Sequence, residues 1–188
     1  MADFFELLKT RRSIRDFQDK EVSIDLVRAI LEDTCMAPSS GNGQPWKFIG
    51  INNRDKIREL SDESKKNLLF SIEKDPASPL RKYEAALRNK DFNVFYNAPC
   101  VVYIVGAKGV RSLWVDCALA ASYFMFSAAA RGLGTCWVDL GSQIKSAETL
   151  KELGLSEEFH IVAPMALGYP KSIPGPPERK AEILRIIS

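Results

Sequence analysis

The chain holds 188 residues, 46% hydrophobic and 27% charged, enough for one compact domain with a sizeable core and too few for two ordinary ones. Its 26 basic and 24 acidic residues leave a net charge of +2, too even a balance for a protein whose main work is holding nucleic acid. The N-terminus, Met1-Ala2-Asp3-Phe4-Phe5-Glu6, has no cationic stretch followed by an apolar run, so no export signal is expected.

Phe4, Leu7 and Leu8 recur at helical spacing between Asp3 and Thr10, and Arg11-Arg12-Ser13 closes that short helix. Ser23 is placed to cap a second helix whose apolar side carries Leu26, Ile30 and Leu31, and which stops before Pro38. Ala37 to Pro45 is a polar loop, followed by a strand in Trp46-Lys47-Phe48-Ile49-Gly50-Ile51. A charged amphipathic stretch then runs from Asn53 to about Glu73, is interrupted by Pro76 and Pro79, and gives way to a helix over 80–89. Residues 53–95 read as a helical cover on the substrate side.

Cys100 to Val105 is a continuous apolar run, the pattern of a central strand buried on both faces. Trp114 to Ala130 is apolar nearly all round and has to be enclosed on every side, for which an interface with a second subunit is the natural place. Within it, Cys117 to Ala130 is an uncharged segment of 14 residues, short of the about 20 that cross a bilayer, so no membrane anchor is expected. A short strand at Cys136-Trp137-Val138, a helix over 147–153 stopped by Gly154, and a last strand over 160–167 complete the core. From Gly168 onward four prolines in nine residues predict an extended arm that crosses a surface, that of a partner subunit, before Ile183 to Ile187 docks.

Several chemistries lack their parts. The one histidine, His160, sits among Phe159, Ile161 and Val162 and reads as a strand residue. There is no Gly-x-Ser-x-Gly elbow, no phosphate loop and no His-Glu-x-x-His. Gly132-Leu133-Gly134 begins like a dinucleotide fingerprint, but it follows a helix and has Trp137 where the third glycine belongs. The four cysteines, at 35, 100, 117 and 136, have no metal-ligand spacing and are expected as reduced thiols in a cytoplasmic protein. Chemistry carried by a bound cofactor remains.

Three polar clusters suit one anionic, planar ligand. Arg11-Arg12-Ser13-Ile14-Arg15 offers guanidinium forks and a hydroxyl that match a phosphate, although the same cations could simply face a helix C-terminus. Ala37-Pro38-Ser39-Ser40-Gly41-Asn42-Gly43-Gln44-Pro45 sets two hydroxyls and two carboxamides on a stiff backbone, and carboxamides pair with the mixed donor and acceptor edge of a heterocycle. Arg179, within Pro177-Glu178-Arg179-Lys180, is a late cation that completes the first cluster if the tail folds back.

Taken in order, Arg-Arg-Ser-Ile-Arg-Asp-Phe from Arg11, Ala-Pro-Ser-Ser-Gly-Asn-Gly-Gln-Pro-Trp-Lys-Phe from Ala37, Gly-Leu-Gly-Thr-Cys-Trp-Val from Gly132 and Ala-Leu-Gly-Tyr-Pro from Ala166 resemble the FMN-dependent nitroreductase family over about residues 4–180. The resemblance implies an α+β fold with a central, mainly antiparallel sheet flanked by helices, an intertwined homodimer and FMN at its interface. By position it implies that Arg11, Ser13 and Arg179, with Arg12 beside them, hold the FMN phosphate, and that Arg15 meets the pyrimidine edge. Asn42 and Gln44 would bond the ring or ribityl chain, and Pro38, Ser39 and Ser40 would line the site, some from the opposite subunit. Trp137, Leu140 and Gly141 would bring backbone N–H groups near flavin N5 and O4. The implied reaction passes hydride from NADH or NADPH through the flavin to an electron-poor small molecule in two half-reactions. Dehydrogenation or reductive dehalogenation of a small metabolite, or flavin binding without turnover, are the alternatives on the same fold. The glutamate–glycine pair that family members carry near N5 is Asp139-Leu140 here.

Overall fold

Four strands form one antiparallel sheet in the order β1 (Lys47–Ile51), β2 (Cys100–Ala107), β4 (Phe159–Gly168), β3 (Gly134–Trp137). The computed structural model describes residues 3–75 and 77–187; Met1, Ala2, Pro76 and Ser188 lie outside the described residues. β2 is central and buried from Cys100 to Gly106, as its unbroken apolar run requires. Its side chains divide by the two-residue period of a strand. Val101, Tyr103 and Val105 join one core, Cys100, Val102 and Ile104 the other.

Each core is closed by helices. On the first side lie α3 (Arg54–Lys74) and α4 (Glu84–Arg88), packing Ile57, Leu60, Leu68, Ile72 and Leu87 against the sheet. On the other lie α2 (Ile24–Thr34) and α5 (Leu113–Ala130), with Val27, Ile30, Cys117, Ala120 and Phe124 inward. Burying a side chain such as Phe124 contributes about 1.5–3 kcal/mol. Two short helices, α1 (Phe4–Thr10) and α6 (Ala147–Glu152), stand at the margins.

The local signals explain the boundaries. Ser23 Oγ accepts the Leu26 N–H at 3.3 Å and Asn53 Oδ1 accepts the Lys56 N–H at 2.9 Å, so α2 and α3 start on side-chain caps. α6 ends where Gly154 turns left-handed at φ +70°. Pro164 sits inside β4 without breaking it. Its carbonyl accepts from Val138 at 2.8 Å, so its missing donor faces the β3 side, where the β3 ladder has already ended at Trp137↔Met165.

Three expectations are refined. The helix over 80–89 is a 3₁₀ turn, Pro79–Tyr83, followed by the single turn of α4. α5 is long and apolar enough to cross a membrane by length and composition, yet it lies against α2 and the sheet. It is not enclosed on every side, because Trp114, Val115, Leu119 and Tyr123 stay exposed within the chain. The segment after Pro170 has no helix or strand and is exposed throughout its described length, with Leu184 fully exposed instead of docked.

The two sheet margins differ. Along β3, Ser13 bridges Thr135 in parallel and Phe17 bridges Pro170, so residues 11–17 cover that edge. Among the described residues β1 pairs with β2 alone, which leaves its outer edge open.

Candidate functional site

α1 ends at Thr10, and the chain leaves it extended, with Arg11 at φ −59° and ψ 130°. Arg12 folds back on that end: Nη1 donates to the Arg11 carbonyl at 2.6 Å and Nη2 to the Lys9 carbonyl. It thereby satisfies one carbonyl left over by the helix, that of Lys9, and the carbonyl of the extended residue that follows it. Its Nε is buried and has no partner. Arg11 goes another way, over the Phe126 ring of α5 at 5.7 Å, with Nη1 3.7 Å from Met125 Sδ. Burial, and then the cations of Arg12 and Arg179, hold its guanidinium below the ordinary arginine value.

Arg179 returns to this place from the far end of the chain. With Lys9, Arg11 and Arg12 it lines a recess of about 600 Å³ whose remaining walls are Leu8, Phe126, Pro176 and Pro177. Four cations and no carboxylate line it, one with an orphaned N–H. That donor set lacks an anion, and forked guanidinium groups fit a phosphate.

Ser13 and Arg15 continue along β3. Ile14 donates its N–H to the Thr135 carbonyl at 2.9 Å and is buried, which seats the segment between half-buried Arg11 and exposed Arg15. That seat depends on Gly134, where a Cβ would stand 2.5 Å from Ile14 Cγ1 and 2.8 Å from its Cβ. Arg15 lies four residues beyond Arg11, about 13 Å in extended chain. Its guanidinium is 5.8 Å from the Tyr96 ring, and the sulfur of Cys136 and the Tyr96 hydroxyl hold it above the ordinary arginine value. Burial pushes the Cys136 thiol up, with Arg15 opposing. Next along the chain, Trp137 is half-buried on the α5 side, Leu140 packs on the α3 side, and the Gly141 carbonyl accepts from Tyr103 Oη at 3.2 Å.

The carboxamide loop is built separately. Ser40–Asn42 is a 3₁₀ turn in which Gly41, Asn42 and then Gln44 take φ of 56°, 54° and 43°. For asparagine and glutamine such angles cost on the order of 1–3 kcal/mol each and persist where surroundings impose them. Ser39 Oγ accepts the Gln44 N–H at 3.0 Å, and Gln44 Nε2 donates to Asn42 Oδ1 at 3.1 Å. Pro38 and Ser40 are exposed, Ser39 half-buried. Beneath the loop's end lies Gly106 of β2, where a Cβ would meet the Pro45 carbonyl oxygen at 2.8 Å and Leu113 Cδ1 at 2.3 Å.

The chain thus brings Arg11, Arg12 and Arg179 together and sets Ser13 and Arg15 on the same edge, but the 38–44 loop is elsewhere. Ser40 is hydrogen-bonded to Asp116, in the first turn of α5, while Arg11 touches Met125 and Phe126. Nine or ten residues of helix separate the two points, about 14 Å.

Two side chains that position this region escaped the sequence reading. Asp116 holds Ser40, and Glu63 of α3 binds the segment after Gly141. Glu63 Oε1 accepts the N–H groups of Lys145 and Ser146 at 2.7 and 2.8 Å, and Oε2 accepts from Thr149 Oγ1 at 2.8 Å. Burial opposes ionisation there, but those donors prevail and hold the Glu63 carboxyl below the ordinary glutamate value. Both contacts join residues more than 70 positions apart and leave no local pattern.

An antiparallel sheet between helical layers, with a cationic recess where a covered sheet edge meets α5, defines an α+β protein with a site for an anionic ligand. Comparison with known proteins specifies the class. The chain belongs to the nitroreductase family, whose model matches residues 8–169. It is 26% identical over 177 residues to the Archaeoglobus fulgidus protein named "Putative NADH dehydrogenase/NAD(P)H nitroreductase", covering 91% of this chain and 87% of that one. Its fold is that of a nitroreductase with bound FMN from Bacteroides fragilis, at a TM-score of 0.85, 24% identity and full coverage of both chains. It is also that of an iodotyrosine deiodinase bound to FMN and 3-iodo-L-tyrosine, at a TM-score of 0.75, 19% identity and 98% coverage of each.

Proposed function

We propose that this protein is a cytoplasmic FMN-dependent oxidoreductase, working as a homodimer, that takes hydride from NADH or NADPH and delivers it to an electron-poor small molecule. The observation that carries this reading is the convergence of Arg11, Arg12 and Arg179, from opposite ends of the chain, on a recess lined without a carboxylate. Arg11, Ser13 and Arg179 hold the phosphate, Arg12 stands behind them, and Arg15 lies at the pyrimidine edge. Asn42 and Gln44 bond the ring or ribityl chain, and Pro38, Ser39 and Ser40 wall the site. Trp137, Leu140 and Gly141 set backbone donors against the ring's other edge. The flavin, when bound, supplies the atom that accepts and gives up hydride. The chain's own task is to bind, to orient and to keep the stacked partner close, so rate depends on packing distance.

A dimer is supported by the exposed apolar face of α5. Trp114, Val115, Leu119 and Tyr123 lie open between the 38–44 loop at one end of that helix and Arg11 at the other. A twofold copy laid on that face sets one chain's loop against the other's cations. The whole chain, 1–188, acts as one unit, and the arm over 168–188 reaches the partner. Its exposed Ile183, Leu184, Ile186 and Ile187 support that role, as does the open edge of β1.

The test is an absorption spectrum of the purified protein, then anaerobic titration with each nicotinamide and with nitroaromatic and haloaromatic acceptors. A yellow protein bleached by NADH or NADPH and reoxidised by an acceptor is expected. A flavin that stays oxidised under both donors would make this a flavin carrier. Arg11→Ala is expected to weaken FMN binding about tenfold or more, the scale of one charge-assisted contact. Undiminished retention of flavin on a desalting column would remove Arg11 from the phosphate site.

A further inference from the structure

Asp116 is 3% exposed, and both of its oxygens are engaged. Oδ1 accepts the Ser40 N–H at 3.0 Å and Oδ2 the Ser112 hydroxyl at 2.7 Å. Among the described residues, the bond to Ser40 is the one hydrogen bond that joins residues 38–44 to the rest of the chain. The others run within the loop: Asn42 N–H to the Ser39 carbonyl, Gly43 N–H to the Ser40 carbonyl, and the two contacts of Gln44. A loop with left-handed Asn42 and Gln44 is therefore fastened at one polar point, and that point is a buried carboxylate.

A carboxylate that served only to begin α5 would need no partner beyond Ser112 and the helix itself, where the free N–H groups already favour an anion. The Ser40 contact goes further, because it fixes a loop 76 positions away in sequence. From the geometry we infer that Asp116 is a positioning residue for the flavin site: it holds the Ser39–Gln44 loop in the conformation that presents Asn42 and Gln44 to the ring. This deepens the proposed function and rests on it. The carboxylate touches no ligand, and its effect is transmitted through the Ser40 amide.

The experiment deletes the donor and the acceptor separately. Ser40 opens a 3₁₀ turn and follows Ser39 at ψ 158°, an extended angle that accepts a following proline. Ser40→Pro thus removes the N–H at a compatible position, and Ser40→Ala is its reference, since both lose the hydroxyl. FMN affinity is read by quenching of the flavin's fluorescence and folding by the melting temperature of the apoprotein. The expected result is that Ser40→Pro binds FMN about tenfold to a hundredfold more weakly than Ser40→Ala, the range for a hydrogen bond to a charged group, at similar melting temperatures. Asp116→Ala is expected to fall with Ser40→Pro, and Asp116→Asn, which keeps an oxygen facing Ser40, to recover most of the loss. Equal affinities for Ser40→Pro and Ser40→Ala overturn the inference even if Asp116→Ala does not fold. Failure of the parent protein to bind FMN sinks the flavin reading, and this inference with it.

Discussion

Replacing Gly134 with alanine tests how the cationic segment is held. The added Cβ would stand 2.5, 2.8 and 3.0 Å from Cγ1, Cβ and Cγ2 of Ile14. These atoms sit next to the backbone, so a rotamer change cannot clear them. Residues 13–15 must lift from β3, which costs about 1–3 kcal/mol for an overpacked site. In a chain of this size each kcal/mol lowers the melting temperature by about 2–4 °C. The displaced strip also carries Ser13 between Arg11 and Arg15, so FMN affinity should fall as well. A double-mutant cycle isolates the cause. Ile14→Val keeps all three clashing atoms and should not rescue Gly134→Ala, whereas Ile14→Ala removes two of them. Ile14→Ala alone costs about 2–5 kcal/mol, and the double variant should be less destabilised than the sum of the singles by about 1 kcal/mol. Urea melts of the four proteins measure this. Strict additivity, or unchanged stability and flavin affinity in Gly134→Ala, would refute the view that this contact seats the arginines.

Arg15→Ala should lower the flavin midpoint potential by on the order of 30 mV, about 1.4 kcal/mol in a two-electron couple; an unshifted redox titration would take Arg15 away from the ring. Because the Glu63 carboxyl is held below its ordinary value in the fold, its contribution is present above that value and is lost as pH falls through the folded one. Glu63→Gln should therefore cost about 1–2 kcal/mol at neutral pH and flatten the decline in stability below the ordinary value of 4.5; parallel pH profiles for the two proteins would contradict this. Cys100 and Cys117, buried and pushed up to about 12 and about 11, should be inert to thiol reagents in the native protein, as should buried Cys136, leaving half-buried Cys35 to react alone. Thiol titration before and after unfolding counts them.

What the sequence made legible was what is local. Ser23 as a cap, Asn53 as the start of the charged stretch, Gly154 as a stop, and the two-sided burial of β2 each depend on residues within a few positions, and each stands where its pattern predicts. The arginine cluster was legible as charge, but its division of labour was not. Only the fold shows Arg12 closing the end of α1 while Arg11 crosses to Phe126. Asp116 and Glu63 were invisible for the same reason, since a carboxylate in a helix looks alike whether it faces solvent or a distant amide. The apolar circumference of α5 was read correctly as composition, but which stripe the chain itself covers depends on α2 and the sheet. Asn42 accepts its left-handed angle more readily than most residues, whereas left-handed Gln44 follows from the loop's closure and not from its own preference.

The hydrogen atom that Gly106 carries in place of a side chain separates what can vary from what cannot. Pro45, the foot of the carboxamide loop, rests its carbonyl in the space a methyl group would fill, and Leu113 at the head of α5 shares that space. Exposed positions above the foot can be exchanged while the platform keeps its shape. A larger residue at 106 would displace the backbone carbonyl of Pro45 and push the end of the Leu113 side chain aside, so attempts to retune this protein belong on the rim and not under it.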